Sequence, residues 1–286
     1  MKVSPLLASF FMDREHTPIT PPSAAADDSQ VPACPTVESS GSIDVKTPSA
    51  SANTPMVVIY NQTQSCPYLD GQVARMPLEH PVMRLEPAGL DDLLVNGYRR
   101  TGPFFYRTQC PSCRECIPVR VDVNQFRFSS SMRRIVNRCD RDLRVVWGTA
   151  KADPIRLDLF NRHRSKRELT QNGPSSLADY HEFLVATSVN TAEIALYRQE
   201  KLIGVAITDV AANSLNAVYT HFDPDFAKYS IGTLAILLQF KKALETNRRY
   251  VYLGLYVADN SHLNYKRRFQ PQQWRVDGQW VTIAAK

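Results

Sequence analysis

The sequence lacks the features that mark a membrane or exported protein. No apolar run approaches the roughly 18 residues that a spanning helix requires. The short stretch PLLASFF near the start leads directly into the charged residues MDREH. We therefore expect a cytoplasmic protein with no membrane partner. Six cysteines in such a chain point to reduced thiols or a metal site rather than to a disulfide framework.

Motifs of several enzyme classes are also missing. The chain has no Walker-type glycine loop, no G-x-S-x-G and no H-E-x-x-H. These absences argue against an enzyme that activates its own substrate with ATP, against a serine hydrolase and against a zinc protease. A transferase that uses an already activated acyl donor remains compatible with the sequence.

The composition changes along the chain. Residues 1–55 hold eight of the nineteen prolines and nine serines without a sustained apolar period, so we expect a disordered leader there. The remaining sequence is globular, and we divide it into an N-terminal region over 56–150 and a C-terminal domain over 151–286. The leader has three basic and six acidic side chains, so the +6 of the whole chain leaves +9 for the rest. Such a surplus of positive charge is typical of a protein that binds a polyanionic partner.

Arginines are concentrated in the segment FRFSSSMRRIVNRCDRDLR, which has six of them. The segment predicts a basic helix over 130–141, and we assign Arg133, Arg134 and Arg138 as candidates for binding nucleic-acid phosphates. A solvated basic helix with no partner is the alternative. Further helices are predicted over 88–96, 154–172 and 177–187.

Closely spaced thiols are the sharpest local signal. Cys110, Cys113 and Cys116 recur every third residue, and Cys66 stands apart. Three thiolates from one turn and a distant fourth are suited to zinc or an iron-sulfur cluster, and the overlapping spacing favours the cluster. Cys34 and Cys139 are left over.

The second half of the chain alternates strand and helix patterns. Three short strands precede a long apolar helix that begins near Ile231, and a buried strand and a last helix follow. This order predicts an α/β (α+β) fold with a mixed sheet. Open α/β sheets bind ligands at the ends of their strands. The polar residues predicted at strand ends and in the last helix are Asp209, Tyr219, His221, Asp223, Tyr265 and Lys266. Asp223 is followed by proline, so a structural role as a turn starter is the alternative for it.

Several sequence blocks occur in one order: CPYLDGQVAR, NGYRRTGPFFYRTQCPSCRECIPVRVDV, MRRIVNR, AVYTHFDP with YSIGTLAILLQ, and YVYLGLYVADNSHLNYKRRFQPQQW. From about residue 66 to 280 they resemble the signature blocks of aminoacyl-tRNA protein transferases. Within that family the resemblance is strongest to the bacterial leucyltransferases that act on amino-terminal Asp or Glu. It implies a C-terminal domain similar to the Gcn5-type acetyltransferase fold.

The resemblance also implies a reaction. The free α-amine of a protein that begins with Asp or Glu attacks the ester carbon of leucyl-tRNA and forms a peptide bond, which marks the protein for degradation. Such aminolysis requires neither ATP nor another cofactor. The catalytic candidates are then Tyr219, Asp223, Tyr265 and Lys266. The candidates for binding the acceptor or the tRNA are Arg99, Arg100, Asp209, Arg133, Arg134 and Arg138.

Departures from the family pattern leave alternatives. The stretch FNRHRSKRELTQNG replaces an RHxDGSM-like segment, and Leu255 replaces a usual aromatic residue. Both changes bear on whether leucine or arginine is transferred. An acetyl-CoA dependent N-acetyltransferase would require a fuller pyrophosphate loop than AKYSIGTL. A metal-stabilised RNA-binding module without catalysis is the other alternative.

Overall fold

A computed structural model describes residues 55–168 and 173–283. The predicted leader therefore lies outside the described residues, except for its last position. Within the described ranges, no helix is both long and apolar enough to cross a membrane.

The described chain alternates short strands and helices. The strands are β1 Met56–Tyr60, β2 Thr63–Ser65, β3 Val73–Arg75, β4 Leu78–Pro81, β5 Arg99–Thr101, β6 Phe104–Tyr106, β7 Ile117–Asp122, β8 Arg144–Thr149, β9 Thr191–Arg198, β10 Lys201–Val210, β11 Ser214–Phe222, β12 Tyr250–Tyr256, β13 Gln272–Val276 and β14 Gln279–Ile283. The α-helices are α1 Pro87–Val95, α2 Ser130–Asp142, α3 Pro154–Lys166, α4 Leu177–Tyr180 and α5 Ile231–Glu245. A π-helical turn and two 3₁₀ segments complete the list: His181–Val185, Pro224–Tyr229 and Asn264–Arg268.

One eight-stranded sheet forms the centre of the molecule, in the order β14-β13-β7-β12-β11-β10-β9-β8. β11 and β12 pair in parallel, whereas the other neighbours pair antiparallel. This mixed sheet confirms the predicted fold class. A smaller sheet, β1-β4-β6-β5, lies in the N-terminal part of the chain.

The central sheet takes strands from both predicted regions. β7 and β8 come from residues before 150, and they pair with β12 and β9 from the second region. The boundary at residue 150 stays a prediction, but the two sides share one sheet.

Local sequence explains where the helices begin. The side chain of Ser129 accepts a hydrogen bond from the backbone N–H of Met132 and caps α2, and Asp153 caps α3 in the same way, with Pro154 at the first helical position. α3 ends at Lys166, earlier than predicted, and residues 169–172 lie outside the described part. The predicted last helix is a 3₁₀ segment, and the predicted helix over 177–187 is one α turn followed by a π turn.

The parallel pair β11 and β12 separates partway along its length. Cα partners run from Ser214 with Tyr250 to Asn216 with Tyr252, although β11 continues to Phe222. Val218 lies at an irregularity in the pairing of β11 with β10, because Tyr219 pairs with Ile207 and Ala217 with Thr208. The separation opens a wedge between two neighbouring strands of the same sheet.

The contact of α5 with the sheet yields a stability prediction. A Cβ added at Gly204 of β10 would lie 2.8 Å from Cγ2 of Ile231 and 3.3 Å from Cδ1 of Leu196. We expect Gly204→Ala to lower the free energy of unfolding by about 1–3 kcal/mol, because the packed core must shift to admit the methyl group. Gly148→Ala in β8 is the control, since a Cβ there meets nothing within 4 Å. Urea unfolding measures both, and equal stabilities of the two variants would contradict the prediction.

Candidate active site

A cleft of about 1370 Å³ occupies the wedge between β11 and β12. The end of α3, the start of α5, β5 and the loop after β12 supply its other walls. Two contacts join residues that line it from different segments of the chain. Nη2 of Arg167 lies 2.6 Å from Nδ1 of His262, and Nδ2 of Asn260 donates to the carbonyl of Tyr68 at 3.0 Å.

Two adjacent arginines form the base of the cleft. The Arg100 and Asp209 side chains are fully buried, and Nε of Arg100 lies 3.0 and 2.9 Å from the two carboxylate oxygens of Asp209. Nη2 of Arg99 donates to Oδ1 of Asn216 at 2.7 Å, and Nδ2 of Asn216 donates to Asp209 at 2.9 Å. Among the described residues, Nη1 of Arg99 and Nη2 of Arg100 have no hydrogen-bond partner. A buried N–H without an acceptor costs about 1–3 kcal/mol, so both atoms favour an incoming anion.

Lys266 adds a third cation to the base. Its Nζ donates to the carbonyl of Leu255, and burial together with Arg99 lowers its pKa to about 7. Gly254 between them has a φ of +92°, a conformation that favours glycine, and a Cβ there would be in ordinary van der Waals contact with Nη2 of Arg99 at 3.5 Å and Nζ of Lys266 at 3.6 Å. The base therefore holds two arginines and a lysine that is about half protonated at pH 7, against the single carboxylate of Asp209.

The lining of the whole cleft is strongly basic. Among the described residues that line it, Glu168 alone carries a carboxylate. The basic residues are Arg99, Arg100, Arg164, Arg167, Lys266 and Arg268. This balance favours anionic ligands and disfavours cationic ones.

Three of the four predicted catalytic residues line the cleft: Tyr219, Tyr265 and Lys266. Burial raises the pKa of Tyr219, and nearby Arg164 and Arg167 lower it in part. Burial likewise raises the pKa of Tyr265, with Arg167 and Arg268 acting in the opposite direction. Both phenols are therefore protonated at neutral pH and can donate hydrogen bonds. Rings of Phe160 and Phe183 pack against Tyr219 at centroid distances of 5.7 and 5.4 Å and fix its position.

Asp223 is not brought to the cleft. Its buried carboxylate accepts hydrogen bonds from Arg162 at 2.8 and 3.0 Å and lies 2.8 Å from Nζ of Lys201. It also caps the 3₁₀ segment that follows, through the backbone N–H of Asp225. Burial alone would raise the pKa of Asp223, but the bonds from Lys201, Asp225 and Arg162 hold it below its ordinary value. The structure therefore favours the structural alternative for this residue over a catalytic role.

Asp209 does not line the cleft either, because it lies beneath Arg100 and binds it. His221 is fully buried, with Nε2 lying 3.4 Å from the hydroxyl of Tyr180. Neither side chain is placed to contact a ligand directly.

The predicted phosphate-binding arginines lie on the exposed face of α2. Met132, Val136 and Cys139 form the buried face of the same helix. Arg138 reaches the 3₁₀ segment before α5 and donates to the carbonyl of Lys228. Because Ala227 and Ser230 line the cleft, Arg138 contacts the chain one residue from that lining.

The four cysteines of the predicted metal site lie near one another, and all are free thiols. Burial, together with the neighbouring Cys66, Cys110 and Cys113, raises the pKa of Cys116 to about 12. Four sulfur donors are chemically suited to zinc or an iron-sulfur cluster. Over residues 55–168 and 173–283, however, no three His, Cys, Asp or Glu side chains are arranged to hold a metal ion. The metal site stays a prediction.

Sequence reasoning missed several residues of the cleft. Asn216 and Gly254 carried no motif signal, because each is one polar or small residue inside an apolar strand. Arg164 and Arg167 lie in the stretch that departs from the family pattern, so a signal existed but could not be interpreted without the fold. Leu255, the other departure, also lines the cleft.

Comparison with known proteins shows two matching family domains. "Arginine-tRNA-protein transferase, N terminus" matches residues 64–134, and "Arginine-tRNA-protein transferase, C terminus" matches residues 156–276. An aspartate/glutamate leucyltransferase of Acinetobacter baylyi is 35% identical over 217 residues, which cover 75% of this chain and 80% of that protein. One of Shewanella sp. (strain ANA-3) is 33% identical over 234 residues, which cover 81% of this chain and 97% of that protein.

Similarity to solved structures is weaker. FemX aligns with a TM-score of 0.45 and 8% identity over 75% of this chain and 85% of its own. An aminoglycoside acetyltransferase from an uncultured soil metagenomic sample aligns with a TM-score of 0.36 and 14% identity over 51% of this chain and 97% of its own. Scores of this size carry no functional argument.

The lowered pKa of Lys266 predicts a pH dependence of stability. Unfolding returns the amine to an ordinary pKa of about 10.4, so between pH 7 and that value the unfolded state binds more protons than the folded state. Stability attributable to this group therefore rises with pH there, by up to about 1.4 kcal/mol per pH unit. Urea unfolding between pH 7.5 and 9.5 should show this rise in the wild type relative to Lys266→Met. Lys242→Met, on α5, should keep the wild-type slope. Parallel curves for wild type and Lys266→Met would refute the prediction.

Proposed function

The chain belongs to the aminoacyl-tRNA protein transferase family, and on this premise we propose that it transfers leucine from leucyl-tRNA to the free α-amine of proteins that begin with Asp or Glu. One observation carries the acceptor side of this proposal. The cleft ends in buried cations that outnumber the carboxylates around them, and two of their N–H groups lack acceptors. A carboxylate is the ligand that such a base binds best.

The acidic side chain of the acceptor binds at Arg99 and Lys266, which form no salt bridge among the described residues, although Asp209 lies near enough to stabilise the charge of Arg99. Arg100 contributes a hydrogen-bond donor, although its charge is already balanced by Asp209. Binding of an anion recovers the desolvation cost of burying two like charges side by side. The backbone of the acceptor residue then extends along β11 towards Tyr219.

The cationic lining also prepares the nucleophile. An α-ammonium group has a pKa near 7.7–8.0, and nearby positive charges favour its neutral form. The amine therefore enters the cleft without its proton and attacks the ester carbon. As the C–N bond forms and the ester C–O bond breaks, one amine proton passes to the departing ribose oxygen. Tyr219 and Tyr265, both protonated, donate hydrogen bonds to the developing oxyanion and relay that proton.

The donor occupies the outer part of the cleft. From Asn216 to Phe222 the strand β11 spans about 20 Å, which accommodates an acceptor residue and an aminoacyl ester end to end. The apolar side chains of Ile231, Ile236 and Leu253 line the same cleft and are suited to a leucyl group. An arginyl side chain would meet six basic residues and the single carboxylate of Glu168. Leucine is therefore the favoured donor, and arginine is the second candidate because both matching domains carry that description.

The transfer needs no cofactor, because an ester converts to an amide and the cleft supplies proximity and charge stabilisation. The tRNA itself contacts the arginine face of α2, where Arg138 contacts the chain one residue from the lining of the cleft. Zinc or an iron-sulfur cluster at the four cysteines would have a structural role only.

A transfer assay tests the donor and the acceptor class together. Purified protein is incubated with labelled leucyl- or arginyl-tRNA and with peptides that begin with Asp, Glu, Lys or Ala. We expect leucine on the Asp and Glu peptides, because only these supply a carboxylate to the cationic base. Transfer of arginine but not leucine would select the second candidate. No transfer to either acidic peptide would contradict the proposal.

The role of the arginine face makes a separate prediction. Replacing Arg133, Arg134 and Arg138 by glutamine should weaken tRNA binding and lower the slope of log K against log salt by about 2–3, because up to three phosphate contacts are lost. The control replaces three basic residues that lie neither on α2 nor in the cleft: Arg84, Arg144 and Lys151. Fluorescence anisotropy over a salt series measures both variants. Equal slopes for the two triple variants would exclude the arginine face as the tRNA site.

A further inference from the structure

Asn216 lines the cleft next to the two arginines of its base. It is almost completely buried, and its side chain connects the two arginines of the base through Asp209. Building on the proposed function, we propose that Asn216 sets the specificity for acidic acceptors because its neutral amide bonds Arg99 without neutralising it. It acts as a positioning residue, because it contacts Arg99 rather than the substrate.

The hydrogen bonds fix the orientation of the Asn216 carboxamide. A guanidinium only donates and a carboxylate only accepts, so Oδ1 must face Arg99 and Nδ2 must face Asp209. A neutral group that both accepts and donates is required at this position. Serine is too short to reach both partners, and aspartate has no donor for Asp209.

The hydrogen-bonding capacity of Asp209 is already in use. It binds Nε of Arg100 and accepts further bonds from Oγ1 of Thr191 at 2.8 Å and from Nδ2 of Asn216. Its charge balances Arg100, and the amide of Asn216 separates it from Arg99. The charge of Arg99 therefore remains available in the cleft next to that of Lys266.

A carboxylate at position 216 would remove this available charge. It would form an ion pair with Arg99 and take the place that the proposal gives to the side chain of the acceptor. It would also lie opposite Asp209, and this repulsion would strengthen its preference for Arg99. The surplus of positive charge at the base would fall by one.

The test compares Asn216→Asp with Asn216→Ala. Steady-state transfer of leucine is measured on two matched peptides, one beginning with Asp and one with the neutral isostere Asn. For Asn216→Asp, the ratio of kcat/KM for the Asp peptide over the Asn peptide should fall at least tenfold, mainly through a higher KM for the Asp peptide. Asn216→Ala adds no carboxylate beside Arg99, so it should keep a ratio within about threefold of wild type even where both rates drop.

Asn190→Asp is the matched control. Oδ1 of Asn190 also accepts from a guanidinium, that of Arg84 at 3.0 Å, but outside the cleft. This variant should leave both rates and their ratio unchanged. A ratio that stays at the wild-type value in Asn216→Asp would overturn the inference, and so would equal losses of specificity in the aspartate and alanine variants.

Binding of the Asp peptide, measured by calorimetry without tRNA, separates this inference from the proposed function. Weaker binding to Asn216→Asp than to Asn216→Ala supports the inference even if the donor is misassigned, and equal binding refutes it. If Asn216→Asp fails to fold, Arg99→Gln is measured instead. It removes from the base the charge that Asn216→Asp would neutralise, so the ratio should fall at least tenfold. A ratio that stays at the wild-type value in Arg99→Gln would contradict the inference.

Discussion

The buried ion pair between Arg100 and Asp209 is the interaction on which the site depends. It joins β5 of the small sheet to β10 of the central sheet, so it fixes how the N-terminal region sits on the wall of the cleft. Removing one partner of such a pair typically costs 3–5 kcal/mol, because the other charge remains buried without compensation. The pair also divides the two adjacent arginines into different roles. Arg100 is neutralised and structural, whereas Arg99 keeps its charge.

This division gives the cleft its chemical character. Arg99 and Lys266 at the base, three more basic residues along the walls and the single carboxylate of Glu168 create a site that favours negative charge. Under the proposed function, the same field would attract a tRNA end, hold an acidic acceptor side chain and favour the neutral form of the attacking amine. One electrostatic feature would therefore serve three parts of a single transfer reaction.

The sequence predicts the central elements of the fold well, because their signals are local. The three short strands β9 to β11 and the long apolar helix α5 confirm the expected structure. β13 and β14 were not predicted, since they are short and rich in polar residues. The pairing of β7 with β12 depends on residues more than a hundred positions apart, and no local pattern indicates it.

The candidate site was predicted in part. Paired arginines beside a glycine turn and tyrosines on a strand are visible in the sequence, and the structure brings Arg99, Tyr219, Tyr265 and Lys266 to one cleft. Asp223 lies at a strand end in the sequence as Tyr219 does, but the structure places it as the cap of the 3₁₀ segment that begins at Pro224. Asn216 could not be found, because its importance comes only from the partners that the fold places on either side of it.

The central claim is that the acceptor carboxylate binds between Arg99 and Lys266, and the most direct test is the pKa of that carboxylate in the complex. A peptide that begins with Asp, labelled with ¹³C at its side-chain carboxyl, can be titrated by NMR free and bound. The account predicts that the pKa, about 3.9 in the free peptide, falls by at least one unit on binding. An unchanged or raised pKa would mean that no cations stabilise the bound carboxylate, and it would contradict the account.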